Sequence, residues 1–489
     1  MAEQSTMALA YAVRWKVLAK YFGQLALLLA VLMLAPLIVS LLENEYSLAP
    51  RYILLIAILL STGLISLRLP APERIQINEA LTITVLAFLG AALLMSWPMM
   101  ESGVSYMDAV FESISGVTTT GLSTLASIEG RSHTFLFARA WMQWYGGLGF
   151  IVLSVALLLG NQTASRRLVG QAVVNEPLIA TARTHALRTL IVYVCLTVVG
   201  LLLAWPAIKD GFTALLYILS AVSTGGFAPH NDSLAELNSR AAAIIVMVIS
   251  FLSAVSLHLY WKVVHSGWSG GIRIMLTDME FRALLLACLL TGSVLTLLAW
   301  IHNAGSPWYN GFMIGFSAQT TTGFATLDVA SMDAASKLVM ILSMLTGGSV
   351  GSSAGGFKIL RLLILLRAFQ MIMRRSCMPL HAMTETYLGG QKLELDEVTR
   401  ALQLVLLFIA VIVLSWFPFV AYGYDPLNSL FDVVSACGTV GLSSGVTGPH
   451  LETPLKAVLC FDMLAGRVEI VALLIILYPR TWFGRRDMT

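Results

Sequence analysis

The sequence predicts an all-α polytopic membrane protein in which four parallel repeats surround a central axis. Hydrophobic residues make up 57% of the 489-residue chain and charged residues 12%, whereas a soluble protein carries about a quarter charged residues. Apolar runs long enough to cross about 30 Å of hydrocarbon recur from end to end. A short threonine–glycine pattern also occurs four times among them.

The apolar runs predict about ten membrane spans of roughly 20 residues each. The N-terminal stretch has no apolar core followed by a small-residue cleavage site, so we expect no removable signal peptide. The predicted spans are 22–42, 52–69, 79–98, 134–160, 187–207, 241–264, 282–301, 335–346 with 357–373, 400–422 and 455–478.

Lysines and arginines are distributed unequally between the two sides of the predicted membrane. Arg14, Lys16 and Lys20 lie at the start of the first span, and alternate loops after it hold most of the other basic residues. The opposite side holds only Arg51, Arg131, Lys209, Arg240, Lys337 and Lys456. Because basic residues are enriched in cytoplasmic loops, we expect both termini to be cytoplasmic and the number of spans to be even.

The repeated pattern occurs in four segments that align without gaps. These are SGVTTTGLST from Ser115, SAVSTGGFAP from Ser220, SAQTTTGFAT from Ser317 and SACGTVGLSS from Ser435. Their shared glycines are Gly121, Gly226, Gly323 and Gly441, separated by 105, 97 and 118 residues. Four similar units at similar spacing indicate an internal repeat.

The surroundings of each copy predict how the repeats are arranged. A short apolar stretch of about nine residues precedes each copy and could form a helix only half the membrane deep. One full span comes before that stretch and another after the copy, so the units point the same way. We therefore expect four parallel membrane–pore-helix–membrane repeats around a central pore. The predicted boundaries are 1–75 for two extra N-terminal transmembrane helices, then 76–165, 183–265, 278–375 and 397–480 for repeats 1 to 4.

The four copies carry the candidate ion-binding chemistry. Irregular backbone at membrane depth must be buried in protein or line a watery cavity, and rings of backbone carbonyls replace the hydration shell of potassium in channel filters. Glycine leaves such an axis open. Tight helix packing by small residues is the alternative, but four copies in register disfavour it. The candidate filter residues are Thr118, Thr119, Thr120, Gly121, Ser223, Thr224, Gly225, Gly226, Thr320, Thr321, Thr322, Gly323, Gly438, Thr439, Val440 and Gly441.

A glycine loop, defined as residues 347–356, interrupts the span after the third copy. With Thr346 it holds five glycines and four hydroxyl residues, and such a run cannot maintain a helix in the middle of a membrane. We expect it to unwind below the filter and act as a gate, the alternative being a static kink. The candidate gate residues are Gly347, Gly348, Ser349, Gly351, Ser352, Ser353, Gly355 and Gly356.

Two sets of charged residues bear on ion movement. Arg467 lies within the last predicted span, where an unpaired cation is costly, and Asp462 and Glu469 are its expected partners if it is structural. Carboxylates on the outer face, among them Glu112 and Asp432, either attract cations to the entrance or are ordinary solvated loop charges.

Longer motifs make the chain similar to the Trk/Ktr/HKT superfamily of potassium transporters, and within it to the bacterial TrkH-type subunits. RAWMQWYGGLGF from Arg139, GGSVGSSAGGFKILR from Gly347 and GRVE from Gly466 resemble the family's signatures after the first, third and fourth filters. The resemblance implies potassium as the transported ion, and glycine at all four filter positions implies a potassium-permissive filter. It also implies that the glycine loop is a gate and that Arg467 projects into the pore as a barrier.

The same resemblance implies a setting and partners. It places the chain in the bacterial cytoplasmic (inner) membrane as a multi-pass homodimer, with a peripheral cytoplasmic ring of TrkA-type nucleotide-binding subunits. No predicted loop is long enough for a nucleotide-binding domain, the longest cytoplasmic one being about 374–399. We therefore expect no organic cofactor in this chain and no nucleic-acid partner.

Several alternatives remain open at the level of sequence. The same fold is compatible with sodium- or proton-coupled symport. It is also compatible with a weakly selective potassium/sodium channel, because no copy has the second glycine of the channel string TVGYG. An alternating-access carrier for an organic solute is a more distant alternative. Residues 347–351 fit the GxSxG pattern of a serine nucleophile. Such a nucleophile needs a strand-to-helix turn, which the predicted all-helical chain does not offer. A protease that used His258 would leave the repeat unexplained, so we expect no enzyme.

Overall fold

The computed structural model describes residues 12–70, 76–100, 103–158, 178–237, 239–303, 305–377 and 387–483. The predicted flank 1–11, the end of the predicted first repeat (159–165) and the tail 484–489 lie outside these residues. The described chain is helical apart from a hairpin of two strands, β1 (Tyr387–Leu388) and β2 (Gln391–Lys392). This finding agrees with the predicted all-α class.

Three helices precede the first predicted repeat. They are α1 (Trp15–Leu32), α2 (Leu34–Leu42) and α3 (Ala49–Leu67). A Cβ on Gly23 would collide with Ser66, and one on Gly63 with Leu27. Glycine at these two points therefore lets the backbones of α1 and α3 approach closely, as small residues do between membrane helices.

Each of the next four units contains a long helix, a short helix and a second helix. The first unit has α4 (Ile77–Ser96), α5 (Tyr106–Val117) and α6 (His133–Leu158), and the second has α7 (Leu178–Ile208), α8 (Gly211–Val222), α9 (Arg240–Ala254), α10 (Leu257–His265) and α11 (Gly267–Thr277). The third has α12 (Met279–Ile301), α13 (Pro307–Gln319), α14 (Ala334–Thr346) and α15 (Ile359–Ser376). The fourth has α16 (Leu395–Ala421), α17 (Pro426–Cys437), α18 (Thr453–Val468), α19 (Ile470–Leu477) and α20 (Pro479–Phe483).

Six helical segments among the described residues are long and apolar enough to cross a membrane, and a seventh is a bent pair. The six are Trp15–Leu42, Ala49–Leu67, Asn78–Ser96, Ala186–Ile208, Met279–Ile301 and Leu395–Ala421. Two further predicted spans are broken helices, interrupted between α14 and α15 and at Glu469 between α18 and α19. Glu469 has a φ of 65°, which a continuous helix cannot contain.

The predicted span over 241–264 is sharply bent, because α9 and α10 meet at 89°. The bend frees backbone groups that the glycine loop then satisfies. The carbonyl of Ala254 accepts from the amide of Ser349 at 3.0 Å, and the amide of Leu257 donates to Gly351 O at 3.2 Å. Buried backbone groups need partners, so the bend in repeat 2 and the loop of repeat 3 stabilise each other.

The short helices α5, α8, α13 and α17 lie at the centre of the molecule. They have 12 or 13 residues, which corresponds to about 18–20 Å of helix. In α5, every residue from Ala109 to Val117 is buried, and in α8 every residue from Leu216 to Val222. These helices bring their C-terminal ends, and the threonine–glycine copies that follow, into the protein interior.

Candidate functional site

The four threonine–glycine copies adopt one backbone conformation. We call them the ring segments, defined as 118–121, 223–226, 320–323 and 438–441. In each, the residue after the short helix is still helical and the next is left-handed: Thr119 (φ 57°), Thr224 (52°), Thr321 (52°) and Thr439 (49°). A β-branched residue rarely adopts this conformation, at a cost of about 1–2 kcal/mol. Its recurrence in all four repeats shows that the surrounding structure enforces it.

Hydrogen bonds to the helix end explain this conformation. The amide after each left-handed threonine donates to the carbonyl of the repeat's shared serine: Thr120 to Ser115 (2.8 Å), Gly225 to Ser220 (2.8 Å), Thr322 to Ser317 (3.0 Å) and Val440 to Ser435 (2.8 Å). Each left-handed threonine also donates its amide to the carbonyl three residues earlier, at 3.0–3.3 Å, and the two bonds together form a Schellman cap. Ser115 Oγ also accepts from the amide of Gly121, at 3.0 Å, and Ser435 Oγ from that of Gly441, at 3.1 Å.

The ring glycines show that the four segments form a closed circle. All four have left-handed φ values, 94° at Gly121, 76° at Gly226, 84° at Gly323 and 96° at Gly441. A Cβ on each would overlap a carbonyl oxygen of the next repeat: Gly121 with Gly225, Gly226 with Thr322, Gly323 with Val440, and Gly441 with Thr120. Repeat 1 thus contacts 2, 2 contacts 3, 3 contacts 4, and 4 contacts 1.

The carbonyls of this circle are available to a ligand. Among the described residues, no donor is bonded to the carbonyl oxygens of Thr120, Thr322 or Val440, and that of Gly225 accepts from Gln143. The three residues before each ring glycine are buried, whereas the glycine itself is partly exposed. Buried carbonyls without partners are costly, and a partly dehydrated cation would satisfy them.

Side-chain hydroxyls brace two of the segments from within. The Oγ1 atoms of Thr118 and Thr120 lie 2.8 Å apart in repeat 1, and those of Thr320 and Thr322 lie 2.7 Å apart in repeat 3. In repeat 2, Ser223 Oγ bonds to helix carbonyls, as Thr118 and Thr320 Oγ1 also do, but Gly225 provides no second hydroxyl. Repeats 1 and 3 therefore share a brace that repeats 2 and 4 lack.

The glycine loop lies directly against the ring segments. Gly355 N donates to Thr321 Oγ1 at 2.7 Å, and Gly356 N donates to Gly438 O at 3.1 Å. Ser353 Oγ lies 3.1 Å from the carbonyl oxygen of Val222, at the end of α8. The loop thus contacts repeats 2 and 4 as well as its own repeat, on the side where the short helices end.

The remaining candidate gate residues are held by bonds within the loop and to the helices beside it. Gly347 O accepts from Gln319 Nε2 at 2.8 Å, and Gly348 O accepts from the amide of Ile359 at 3.0 Å. Ser352 Oγ donates to Ser349 O at 2.7 Å. Gly347, Gly351 and Gly356 have φ values of 66°, 74° and 71°, so three of the five glycines adopt a backbone conformation that other residues rarely take.

Arg467 connects the loop to repeat 1. Its guanidinium is buried and donates to Ser353 O at 2.7 Å, Gly146 O at 3.1 Å and Gly147 O at 3.2 Å. Gly146 and Gly147 belong to the RAWMQWYGGLGF motif on α6. Arg467 therefore connects the glycine loop to repeat 1.

The expectation that Asp462 or Glu469 pairs with Arg467 is wrong. Asp462 Oδ1 accepts from Ser415 Oγ at 2.6 Å, and Glu469 pairs with Arg361 at 2.7 Å. The guanidinium bonds to backbone carbonyls because α18 ends there and the unwound loop presents its oxygens. Its positive charge therefore lies between the glycine loop and α6 of repeat 1.

Two carboxylates expected on the outer face are fully buried, so neither interpretation made from sequence applies to them. Glu112 pairs with Arg139 at 2.9 Å and accepts from the amide of Thr124. Asp432 accepts from the amides of Ser444 and Thr447, at 2.7 Å each. Both stand nine positions before a ring glycine and hold the chain that follows it, and this shared spacing in repeats 1 and 4 is the sequence signal for their role.

Basic or aromatic groups at the start of the second helices join neighbouring repeats. The contacts are His133 on Phe212 (ring centroids 4.8 Å apart), Arg240 over Tyr309 (5.3 Å), Lys337 with Asn428 (2.8 Å) and Lys456 with Asp108 (2.6 Å). Each links one repeat to the short helix of the next, in the same order as the ring. Lysines and arginines that we expected in loops therefore form contacts between repeats.

We expect Lys456→Met to destabilise the fold by about 1.5 kcal/mol, the contribution of a hydrogen bond between charged groups. Lys456 and Asp108 are largely buried, with 8% and 20% of their side chains exposed. The measurement is the thermal unfolding midpoint of the purified protein in detergent. Lys209→Met, which changes an exposed lysine, is the matched control. Equal midpoints for the two variants would show that the contact does not hold repeats 4 and 1 together.

Comparison with known proteins agrees with this architecture. A family model described as "TrkH: Cation transport protein" matches residues 52–480. The chain is 30% identical over 390 residues to the Trk system potassium uptake protein TrkH of Escherichia coli K12, covering 77% of this chain and 79% of that protein. It is 27% identical over 461 residues to an uncharacterized cation transporter of Methanocaldococcus jannaschii, covering 93% of each.

A solved structure extends the similarity to the fold. The crystal structure of the potassium transporter TrkH from Vibrio parahaemolyticus superposes with a TM-score of 0.84 at 27% identity, covering 96% of this chain and all of that one. The family match spans the four ring segments, the glycine loop and Arg467. This chain belongs to the TrkH family of cation transport proteins.

Proposed function

We propose that this chain takes up potassium through the ring of carbonyls that its four segments form. The observation that supports the proposal most directly is the closed order of contacts between ring glycines and neighbouring carbonyls. A circle of four carbonyl oxygens, three of them without a donor among the described residues, suits a spherical ligand without directional bonds, which describes a monovalent cation. It does not suit an organic solute, which needs a pocket of its own shape.

Electrostatics favour a cation at the same place. The four short helices end at the ring, so the negative ends of their dipoles converge there. Potassium is the proposed ion, because carbonyl rings replace its hydration shell and the named relatives of Escherichia coli and Vibrio parahaemolyticus are potassium proteins. Potassium is here the cargo, and no organic cofactor has a role in the proposal.

The contacts of the glycine loop support its assignment as a gate in the closed state. Its backbone occupies the inner side of the ring through Gly355 and Gly356, and Arg467 adds a positive charge there. A cation leaving the ring would meet both. We therefore propose that the loop is the gate and Arg467 the barrier, and that conduction needs the loop to move away.

The wider setting is proposed on the same basis. The chain would lie in the cytoplasmic membrane with both termini inside, as a homodimer with a TrkA-type regulatory ring. The four units keep the boundaries 76–165, 183–265, 278–375 and 397–480, after two extra helices in 1–75. Coupling to sodium or protons is the first alternative for the driving force.

Weak discrimination against sodium is a second candidate property. Each ring glycine is already partly exposed, whereas the residues before it are buried. The protein-lined ion column therefore opens to the surface at the glycine and is short. A short column has few binding sites that can discriminate between ions of different size. The sodium flux should therefore be measured beside the potassium flux.

The test is ion uptake into proteoliposomes that hold a membrane potential. We expect rubidium, a close analogue of potassium in size, to enter faster than sodium, and collapse of the potential to slow its entry. Liposomes without protein give the background. Rubidium entry equal to that background under every potential would contradict the proposal. If rubidium entry strictly requires sodium or a pH gradient, the protein is a symporter and not a channel.

A further inference from the structure

The second ring segment lacks a side chain that the other three have. The position before the ring glycine is Thr120, Thr322 or Val440 in repeats 1, 3 and 4, and each of these side chains is completely buried. Repeat 2 has Gly225 there, followed by Gly226. Two consecutive glycines have the greatest backbone freedom, so this segment alone needs support from elsewhere.

Gln143 supplies that support from α6 of repeat 1. Its side chain is completely buried, and a Cβ on Gly225 would collide with it. The carboxamide Nε2 donates to Gly225 O at 2.5 Å, and Oε1 accepts from the amide of Phe227 at 3.1 Å. One amide group therefore bonds to the peptides on both sides of Gly226.

We propose that Gln143 is a positioning residue that determines ion selectivity, by standing in for the side chain that Gly225 lacks. This inference rests on the proposed function of the ring. Gly225 O is the member of the carbonyl circle that overlaps the Cβ position of Gly121. Gln143 thus fixes one of the four oxygens that face the ion, and the ion shares that oxygen with an amide donor.

The selectivity effect follows from what the segment does without this bond. A released Gly225 carbonyl can turn, and the circle can then contract around a smaller ion. The amide of Phe227, which is buried, would also lose its acceptor. Sodium, with the smaller radius, gains most from a ring that can close around it.

Gln143→Ala should therefore lower the ratio of rubidium to sodium flux in proteoliposomes by about fivefold, the effect of one hydrogen bond. Gln143→Glu keeps the size of the side chain and an acceptor for Phe227 but removes the donor to Gly225, and should lower the ratio as well. The ratio separates this role from a purely structural one, since fewer folded molecules would reduce both fluxes equally.

A rescue experiment sharpens the test. Gly225 has no left-handed φ, so its backbone accepts a threonine once Gln143 is shortened. Ser223 stands where Thr118 and Thr320 stand in repeats 1 and 3, and its hydroxyl would face the new one. We expect Gly225→Thr alone to lose flux by collision with Gln143, and the double variant Gly225→Thr/Gln143→Ala to recover the wild-type ratio to within about twofold.

Gln319→Ala is the matched control. Gln319 is as buried as Gln143, but it bonds to Ser343, Thr346 and Gly347 at the glycine loop and not to a ring carbonyl. Its flux ratio should equal that of the wild type. An unchanged ratio in Gln143→Ala, or a double variant no better than Gln143→Ala, would overturn the inference. Absence of rubidium flux in the wild type would instead contradict the proposed function and the inference with it.

Discussion

Gly323→Ser should reduce rubidium uptake by at least tenfold in proteoliposomes. The added Cβ has no space, because it would overlap the carbonyl oxygen of Val440 in the next ring segment. The serine would also have to adopt a φ of 84°, which costs a side-chain-bearing residue about 1–2 kcal/mol. A change of 1.4 kcal/mol is already tenfold in an equilibrium constant, so strain and overlap together exceed that effect.

Gly448→Ser is the matched control for this change. Gly448 lies in the loop after the fourth ring segment, has no left-handed φ, and would place a Cβ with nothing within 4 Å. Its uptake should equal that of the wild type. Both proteins should be monodisperse in detergent. If the rubidium flux of Gly323→Ser then equals that of Gly448→Ser, the ring is not part of the ion pathway.

The ring also shows what a sequence can reveal about such a site. The four copies could be recognised because the same local chemistry recurs: a short helix, a capping serine and a glycine that must be left-handed. The sequence does not show that the threonine two places before each glycine is left-handed as well. Threonine disfavours that conformation, and the cap that imposes it depends on tertiary packing around the helix end.

Other features escaped prediction because they depend on contacts between distant parts of the chain. The bend between α9 and α10 is matched by bonds to Ser349 and Gly351, about 95 residues away. Arg467 was given carboxylate partners on its own helix, but its bonds reach Ser353, 114 positions away, and Gly146, 321 positions away. Spacing along one helix predicts neighbours on that helix and says nothing about a loop that unwinds beside it.

These distant contacts explain why the loop can respond as one unit. Its bonds to Thr321, Gly438 and Val222 and the link through Arg467 reach all four repeats. Each bond is modest, at about 0.5–1.5 kcal/mol, or up to about 3 kcal/mol where a charged group donates. Their sum holds the loop in place, yet several must break together for it to leave. Such a set of bonds gives two states, which a gate requires.

Arg467→Gln should raise the basal rubidium flux by at least tenfold. The change removes a positive charge beside the ring and at least two of the three bonds to Ser353, Gly146 and Gly147. The barrier to a cation falls and the loop loses its attachment to repeat 1, so both effects act in the same direction. The measurement is rubidium uptake at a fixed membrane potential, without any regulatory partner.

Arg467→Lys separates the two effects. Lysine keeps the charge, but it cannot present the planar fork that reaches Ser353 and Gly146 at once. If the hydrogen bonds hold the gate, flux in Arg467→Lys should approach that of Arg467→Gln; if the charge is the barrier, it should stay near the wild type. Arg367→Gln, at a partly exposed position in the middle of α15, controls for loss of a basic residue. Flux in Arg467→Gln equal to or below that of Arg367→Gln would mean that neither the charge nor the bonds of Arg467 oppose ion passage.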